Sequence, residues 1–522
     1  MKRNLINTPL FALFAGAFLF ESGTAFASSP VIIGEGTYDS AIYATEEDTT
    51  GGSSLYINGG TFNLYSSVSN PDLYLYGGGS EGVSITGNTY FQFNAGEVLP
   101  GDWSHSLYGG GSLNTTITGS SKFEMNGGSI YGADLNRSAI FGASRPGSVV
   151  QGDSQVVINA GTIKGLTIYG GADGANTLFD GQMGTYSHYI DLAETSTVEG
   201  NASVTIGENA TVYTVVAGGR GNSVIKGNVS LNINGKTSNV NQGGDQYGKI
   251  YGITSATFGS TAVTGSIISA GDIYGSNVTF KDDGSVDSVV DANKIVVYST
   301  YNGSTVNGVL QGFGTFGSYD DPVNTVYGSI NVKINDGTTV TSNVRSAGLA
   351  THVLGNTSLT ISGENTNIGG NVYAGSERGS QIDGNATLTI DSATVQGDVY
   401  GGGYGIYYKD NSGEYANQDA IIKGNSNVYV RNATVEGGIY AGGKGQRAIT
   451  EGDATVTLTG TVNTPILSGY GKSQTLGEED MGKGVTLGNR TLNFSNTSDP
   501  WSGAITAAVD GFNRIIVDKN TT

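Results

Sequence analysis

Residues 421–443 read I-I-K-G-N-S-N-V-Y-V-R-N-A-T-V-E-G-G-I-Y-A-G-G. A turn at Lys423-Gly424-Asn425 opens the unit. Val428 and Val430 then alternate with Asn427 and Tyr429, the period-two pattern of a strand with one buried face. After a second turn, Val435 adds one apolar point and Gly437-Gly438 leads into Ile439-Tyr440. Ala441-Gly442-Gly443 ends the unit.

Much of the chain restates this unit. Gly384-Asn385 leads to Leu388 and Ile390, then Val395, then Val399-Tyr400-Gly401-Gly402-Gly403. Gly355-Asn356 leads to Leu359 and Ile361, then Val372-Tyr373-Ala374-Gly375. Gly152-Asp153 leads to Val156 and Ile158, then Ile163, then Ile168-Tyr169-Gly170-Gly171. Similar endings occur at Leu75-Tyr76-Gly77, Leu107-Tyr108-Gly109 and Ile130-Tyr131-Gly132. Tyr373, Tyr400 and Tyr440 are spaced by 27 and then 40 residues, so a fixed strand pattern carries loops of variable length.

Loose repeats of short strands with Gly and Asn turns predict an all-β fold, a β-solenoid of many coils with variable loop insertions. One unit cannot bury its own apolar face and needs a copy above and below. Stacked coils rise by about 4.8 Å, the spacing between hydrogen-bonded strands. Equivalent Val, Leu and Ile then line a dry column, each worth roughly 1.5–3 kcal/mol when buried. Gly and Asn are expected at the corners because they accept a positive φ at little steric cost.

The composition agrees. Gly accounts for 85 of 522 residues, without the strict triplet of collagen. Only 13% of residues are charged and 37% are hydrophobic, and the apolar ones fall in period-two runs. Residues 1–27 read as a signal peptide: Lys2 and Arg3, an apolar run from Leu10 to Phe20, and the small-residue cleavage site Ala25-Phe26-Ala27, so that the mature chain begins at Ser28. The repeat region is expected over 28–490 with an N-terminal cap. Residues 491–522 read as terminal coils, or as the start of a region preceding a membrane barrel. The net charge of −20 is dispersed and lacks the basic stripe that nucleic acid needs. The chain has no Cys, so an exported rod of this kind is stabilised by stacking rather than by disulfides.

With its leader, its Cys-free Gly/Asn-rich repeats and a tail containing Leu492-Asn493-Phe494, Trp501-Ser502-Gly503-Ala504-Ile505 and Phe512-Asn513-Arg514-Ile515-Ile516-Val517, the chain resembles the passenger domain of bacterial autotransporters. The resemblance covers about 28–522. It implies a right-handed parallel β-helix displayed outside a Gram-negative cell, commonly for adhesion or aggregation. Such passengers continue into a membrane β-barrel. This sequence stops at Asn520-Thr521-Thr522, so an outer-membrane barrel is expected in a longer chain or as a separate partner.

Chemistry-bearing motifs are sparse. Gly152-Asp153-Ser154-Gln155 is similar to a protease G-D-S-G core, but it falls on a repeat turn, and His105, His188 and His352 are scattered. Gly442 to Ile449 approaches a calcium nonapeptide, with Arg447 in place of the decisive carboxylate. Asp282, Asp283 and Asp287 form an acidic cluster that could hold calcium incidentally. No cofactor, no resident metal and no catalytic residue are expected.

The remaining signal is aromatic. In the I-Y-[AG]-G endings, Tyr76, Tyr108, Tyr131, Tyr169, Tyr373, Tyr400 and Tyr440 are expected to point outward or sit at a corner, where stacked coils align some of them as a ladder. Same-residue stacking that stabilises the helix under covering loops is the plainer reading. As candidate surface contacts the sequence offers Tyr373, Tyr400 and Tyr440, together with Tyr404, Tyr407 and Tyr408 in the loop 403–418. The expectation is therefore an exported, non-enzymatic rod at the cell surface or outside it. Its partner would be a host or bacterial surface glycan or protein, or another copy of itself. The alternative is a secreted carbohydrate-active β-helix enzyme, a polysaccharide lyase or hydrolase, which requires acids clustered across neighbouring coils.

Overall fold

The computed structural model describes residues 29–63, 73–100, 105–132, 138–174, 195–244, 247–314, 324–335, 337–409, 415–476, 479–494 and 507–517. The chain winds as a parallel β-helix. One coil shows the path. Ala420–Ile422 lies on a short-strand sheet and Ser426–Arg431 on a long-strand sheet. Thr434–Val435 belongs to a small six-stranded sheet, and Gly438–Tyr440 to a third large sheet, called here the tyrosine sheet. The next coil begins at Ala448–Thr450, paired in parallel with Ala420–Ile422. The short-strand and tyrosine sheets contain 14 and 15 strands among the described residues. Among the described residues there is no helix.

The quoted stretch folds as its alternation predicts. Ser426, Val428 and Val430 are buried, whereas Asn427, Tyr429 and Arg431 face outward. Register repeats residue for residue: Leu359 on Leu388 on Val428 on Val456, and Ile361 on Ile390 on Val430 on Leu458. With Val372, Val399 and Ile439 they belong to one apolar column along the coil interior. The described ends join the same pattern. Val31–Ile33 pairs in parallel with Leu55–Ile57, and Arg514–Ile516 with Thr491–Asn493.

The expected positive φ is found at some corners, at Gly87 and at Asn432 of the quoted stretch for example, and not at others. Gly402 and Gly424 have no positive φ. Their role is close approach: a Cβ on Gly402 would lie 2.5 Å from the Gly443 nitrogen, and one on Gly424 2.5 Å from the Gly384 carbonyl oxygen. The asparagine or aspartate after Gly355, Gly384, Gly424 and Gly452 links coils through its side chain. The Asn385 N–H donates to Asn356 Oδ1 (2.8 Å), Asn425 to Asn385 (2.7 Å), Asp453 to Asn425 (2.9 Å) and Asn489 to Asp453 (2.7 Å). A second ladder runs from Asn343 through Asn371 and Asp398 to the Gly438 N–H, at 2.8, 2.8 and 2.9 Å. Each rung satisfies a backbone donor at or beside a corner of the coil.

Antiparallel hairpins decorate the rod. One pairs Val278–Phe280 with Val286–Val289, a second Ile406–Lys409 with Tyr415–Gln418, and a third Ser473–Leu476 with Glu479–Lys483.

Candidate functional site

The outer face of the tyrosine sheet gathers the aromatic residues that the sequence singles out. Tyr43, Tyr76, Tyr108, Phe141 and Tyr169 stand in register on successive coils. Their rings stack at centroid distances of 4.8, 5.2, 5.0 and 5.0 Å with interplanar angles of 12° or less. Tyr373, Tyr400 and Tyr440 form a second stack at 4.8 and 5.2 Å. Between the stacks the same column passes through Val216, Asn241, Ile268, Gln311 and Arg345.

Both stacks lie outside the coil interior, in clusters separate from the main core, as the sequence phase predicts. They are not on the surface, however. Tyr76 and Tyr400 are fully buried, Tyr373 is 2% exposed and Tyr440 7%. As they stand, Tyr373, Tyr400 and Tyr440 offer almost no area to a partner, which corrects their reading as contact residues. Tyr404 is half-buried beside Tyr373 at 6.1 Å, with the Lys444 ammonium 5.2 Å from its ring. Tyr407 and Tyr408 lie on the strand Ile406–Lys409, and their side chains are outside the described residues. Ala25, Ala27 and Ser28 also lie outside them.

Ile130-Tyr131-Gly132 is not an ending of the same kind. Ser129–Tyr131 pairs within the long sheet, and the matching rung of that coil is Phe141. The signal was present in Ala139-Ile140-Phe141-Gly142, where Phe replaces Tyr.

A buried phenol hydroxyl needs a partner, and carboxylates supply it. Tyr108 donates to Asp173 Oδ2 (3.1 Å), and Arg220 grips the same carboxylate through Nε (2.9 Å) and Nη2 (2.8 Å) while lying 5.3 Å from the Phe141 ring. In the second stack Tyr400 donates to Asp398 (2.8 Å), and Lys472 Nζ meets that carboxylate at 2.6 Å. Burial, and then the neighbouring carboxylate, push the Tyr108 and Tyr400 hydroxyls far above the ordinary tyrosine range. Burial pulls Asp398 upward, but Lys472, the Gly438 N–H and Tyr400 outweigh it and hold the carboxyl below its usual value.

The outer face of the long sheet is different and polar. Ser358, Thr387, Asn427 and Thr455 form one column, and Thr360, Thr389, Tyr429 and Thr457 the next. These side chains are half-buried by their neighbours, and Tyr429 is 45% exposed.

No protein-family model matches the chain, and no curated protein or solved structure is significantly similar to it. Its chemistry therefore rests on its own residues. Several carboxylates meet cations of a neighbouring coil: Asp391 pairs with Arg431, and Asp383 with Lys423 (3.0 Å). His352 Nε2 lies 3.0 Å from Asp383 Oδ2, and Gln381 donates to the other oxygen at 2.6 Å. Ser154 of the G-D-S-Q turn donates to the Gly170 carbonyl, a structural hydrogen bond (2.5 Å). Among the described residues no group of three His, Asp or Glu side chains is placed to hold a metal ion. Asp283 accepts from the Ser285 N–H and hydroxyl, and Asp287 from Thr279, within the hairpin 278–289.

Proposed function

We propose that this is an exported β-helix rod acting at or outside the bacterial cell surface, by lateral adhesion or self-association. The observation that carries the reading is the outer face of the long sheet. Its hydroxyl and amide columns repeat at the coil spacing over many coils, which suits contact with an extended polymer or a second rod. A rigid scaffold of stacked coils holds such a face without ordering cost at the moment of binding. The leader and the passenger-like repeats support export. Asp173, Asp383, Asp391 and Asp398 meet cations of other coils, an arrangement that favours a scaffold over acid/base cleavage of a polysaccharide, which needs two converging carboxyl groups.

The test is expression of the full chain with its leader in a Gram-negative host, with antibody labelling of intact cells and a settling assay. Labelled cells, or medium containing protein that coats and clumps cells, support the reading. Protein confined to the periplasm that releases reducing ends from a polysaccharide contradicts it.

A further inference from the structure

The second tyrosine stack stops abruptly at Tyr440. In the next coil its register partner is Ser468, and in the one after that Asp510. Ring, hydroxymethyl and carboxylate thus follow one another in a single column. Where the rings cease, a hollow of about 380 Å³ opens on the outer face of the sheet. Its lining includes Tyr440, the apolar Ile466 and Ala508, Asp510, and Lys472 and Lys483 beside the hairpin 473–483.

We propose that this notch binds a single neutral pyranose unit of a glycan. The proposal deepens the surface-binding reading and rests on it. The volume falls at the small end of ligand pockets, which span roughly 300–1,000 Å³. Lys472 is held by Asp398. Lys483 forms no ion pair among the described residues; its ammonium lies 5.4 Å from the Tyr470 ring. Asp510 is exposed and also forms no ion pair among the described residues. One donor-only group and one acceptor-only group therefore share the lining with apolar side chains. Vicinal sugar hydroxyls both donate and accept, so one ring satisfies Asp510 and Lys483 together while its C–H face covers Ile466 and Ala508. A phosphate would meet Asp510 as a like charge. A purely apolar ligand would desolvate both charged groups without replacing their hydrogen bonds.

The register also supplies the variant. Ser468→Tyr places a ring where the stack lacks one and fills the notch, with the folded rod retained. Asp510→Asn, at an exposed position, is a second variant that leaves the fold intact. The experiment is saturation-transfer NMR on the full chain with methyl glycosides of glucose, galactose and mannose, and with leucine as a zwitterionic control. The expected result is transfer to at least one glycoside, abolished in Ser468→Tyr and at least tenfold weaker in Asp510→Asn. Transfer to none of the glycosides, transfer unchanged by either variant, or transfer to leucine alone overturns the proposal. Cell binding separates the two readings. If the rod coats cells while no glycoside binds, the notch proposal fails and adhesion stands. If glycosides bind in the notch while the rod coats no surface, the adhesion reading fails.

Discussion

The stack from Tyr43 to Tyr169 and the stack from Tyr373 to Tyr440 occupy one column of one sheet, yet their charged partners differ. In the first, Asp173 is 4% and Arg220 13% exposed, and the pair is held by two hydrogen bonds. In the second, Asp398 is 14% exposed and its partner Lys472 46%. The first stack runs on into Val216, whereas the second gives way to Ser468 and an open notch. A hydroxyl under cover calls in a carboxylate, and the carboxylate calls in a cation. How deeply that chain of partners is buried decides how much of the fold depends on it.

The largest effects should come from the buried partners. Arg220→Met leaves the Asp173 charge without its mate, and removing one member of such a pair costs about 3–5 kcal/mol. Tyr400→Ala empties a fully buried rung between two rings, at a similar cost of about 3–5 kcal/mol. Hydrogen exchange by mass spectrometry should show lost protection centred on the coils that flank each change, since a solenoid reports locally. Lys472→Met, on the half-exposed counterpart, should cost under about 1 kcal/mol. Equal losses at Arg220 and Lys472 would erase the distinction between the two stacks.

pH sharpens the same contrast. Burial keeps the Tyr108 and Tyr373 hydroxyls protonated well past the ordinary tyrosine value of about 10. The folded chain then holds protons that the unfolded chain releases, so this stability is intact below about pH 10 and is lost as pH rises beyond it. Absorbance at 295 nm should show the Tyr108 and Tyr373 rungs ionising only with unfolding. On the acid side, the Arg431 hydrogen bond holds Asp391 below its usual value, and Lys472 helps to hold Asp398 there. Their contributions are present above about pH 4 and are lost as pH falls through the lowered values.

Smaller effects belong to the corners and the outer face of the long sheet. Asn385→Ala removes one ladder rung, worth about 0.5–1.5 kcal/mol. Tyr429→Ser on the exposed long-sheet face should stay within about 0.5 kcal/mol. A thermal melt of each variant distinguishes the two.

The coil was legible in residues 421–443 because strand burial has a period of two, and Val428, Val430, Val435 and Ile439 all point inward. The tyrosine ladder was legible as spacing, and its cover as the plainer of two readings, but the groups that enclose it were not, since they come from distant coils. Asp173 reaches Tyr108 across 65 residues, and Lys472 reaches Asp398 across 74. The Gly-Asn turns were read as backbone permissiveness. Their cross-coil hydrogen bonds appear only once the register is known. Phe141 was missed as a rung because Tyr131 carries the same local motif on another sheet. The notch at Ser468 was invisible for a related reason: it is defined by a ring that is missing.

The register of the coils underlies every step, and the absence of Cys from the chain makes it directly testable. Thr387 faces Asn427 on the next coil, and Thr455 lies one coil further on. Adjacent coils place Cα atoms about 4.8 Å apart, within disulfide reach, and a two-coil gap does not. Oxidation of Thr387→Cys/Asn427→Cys should close an intramolecular disulfide, seen as a mobility shift without reductant. Thr387→Cys/Thr455→Cys should stay reduced. A free 387/427 pair, or equal closure of the 387/455 pair, would contradict the account.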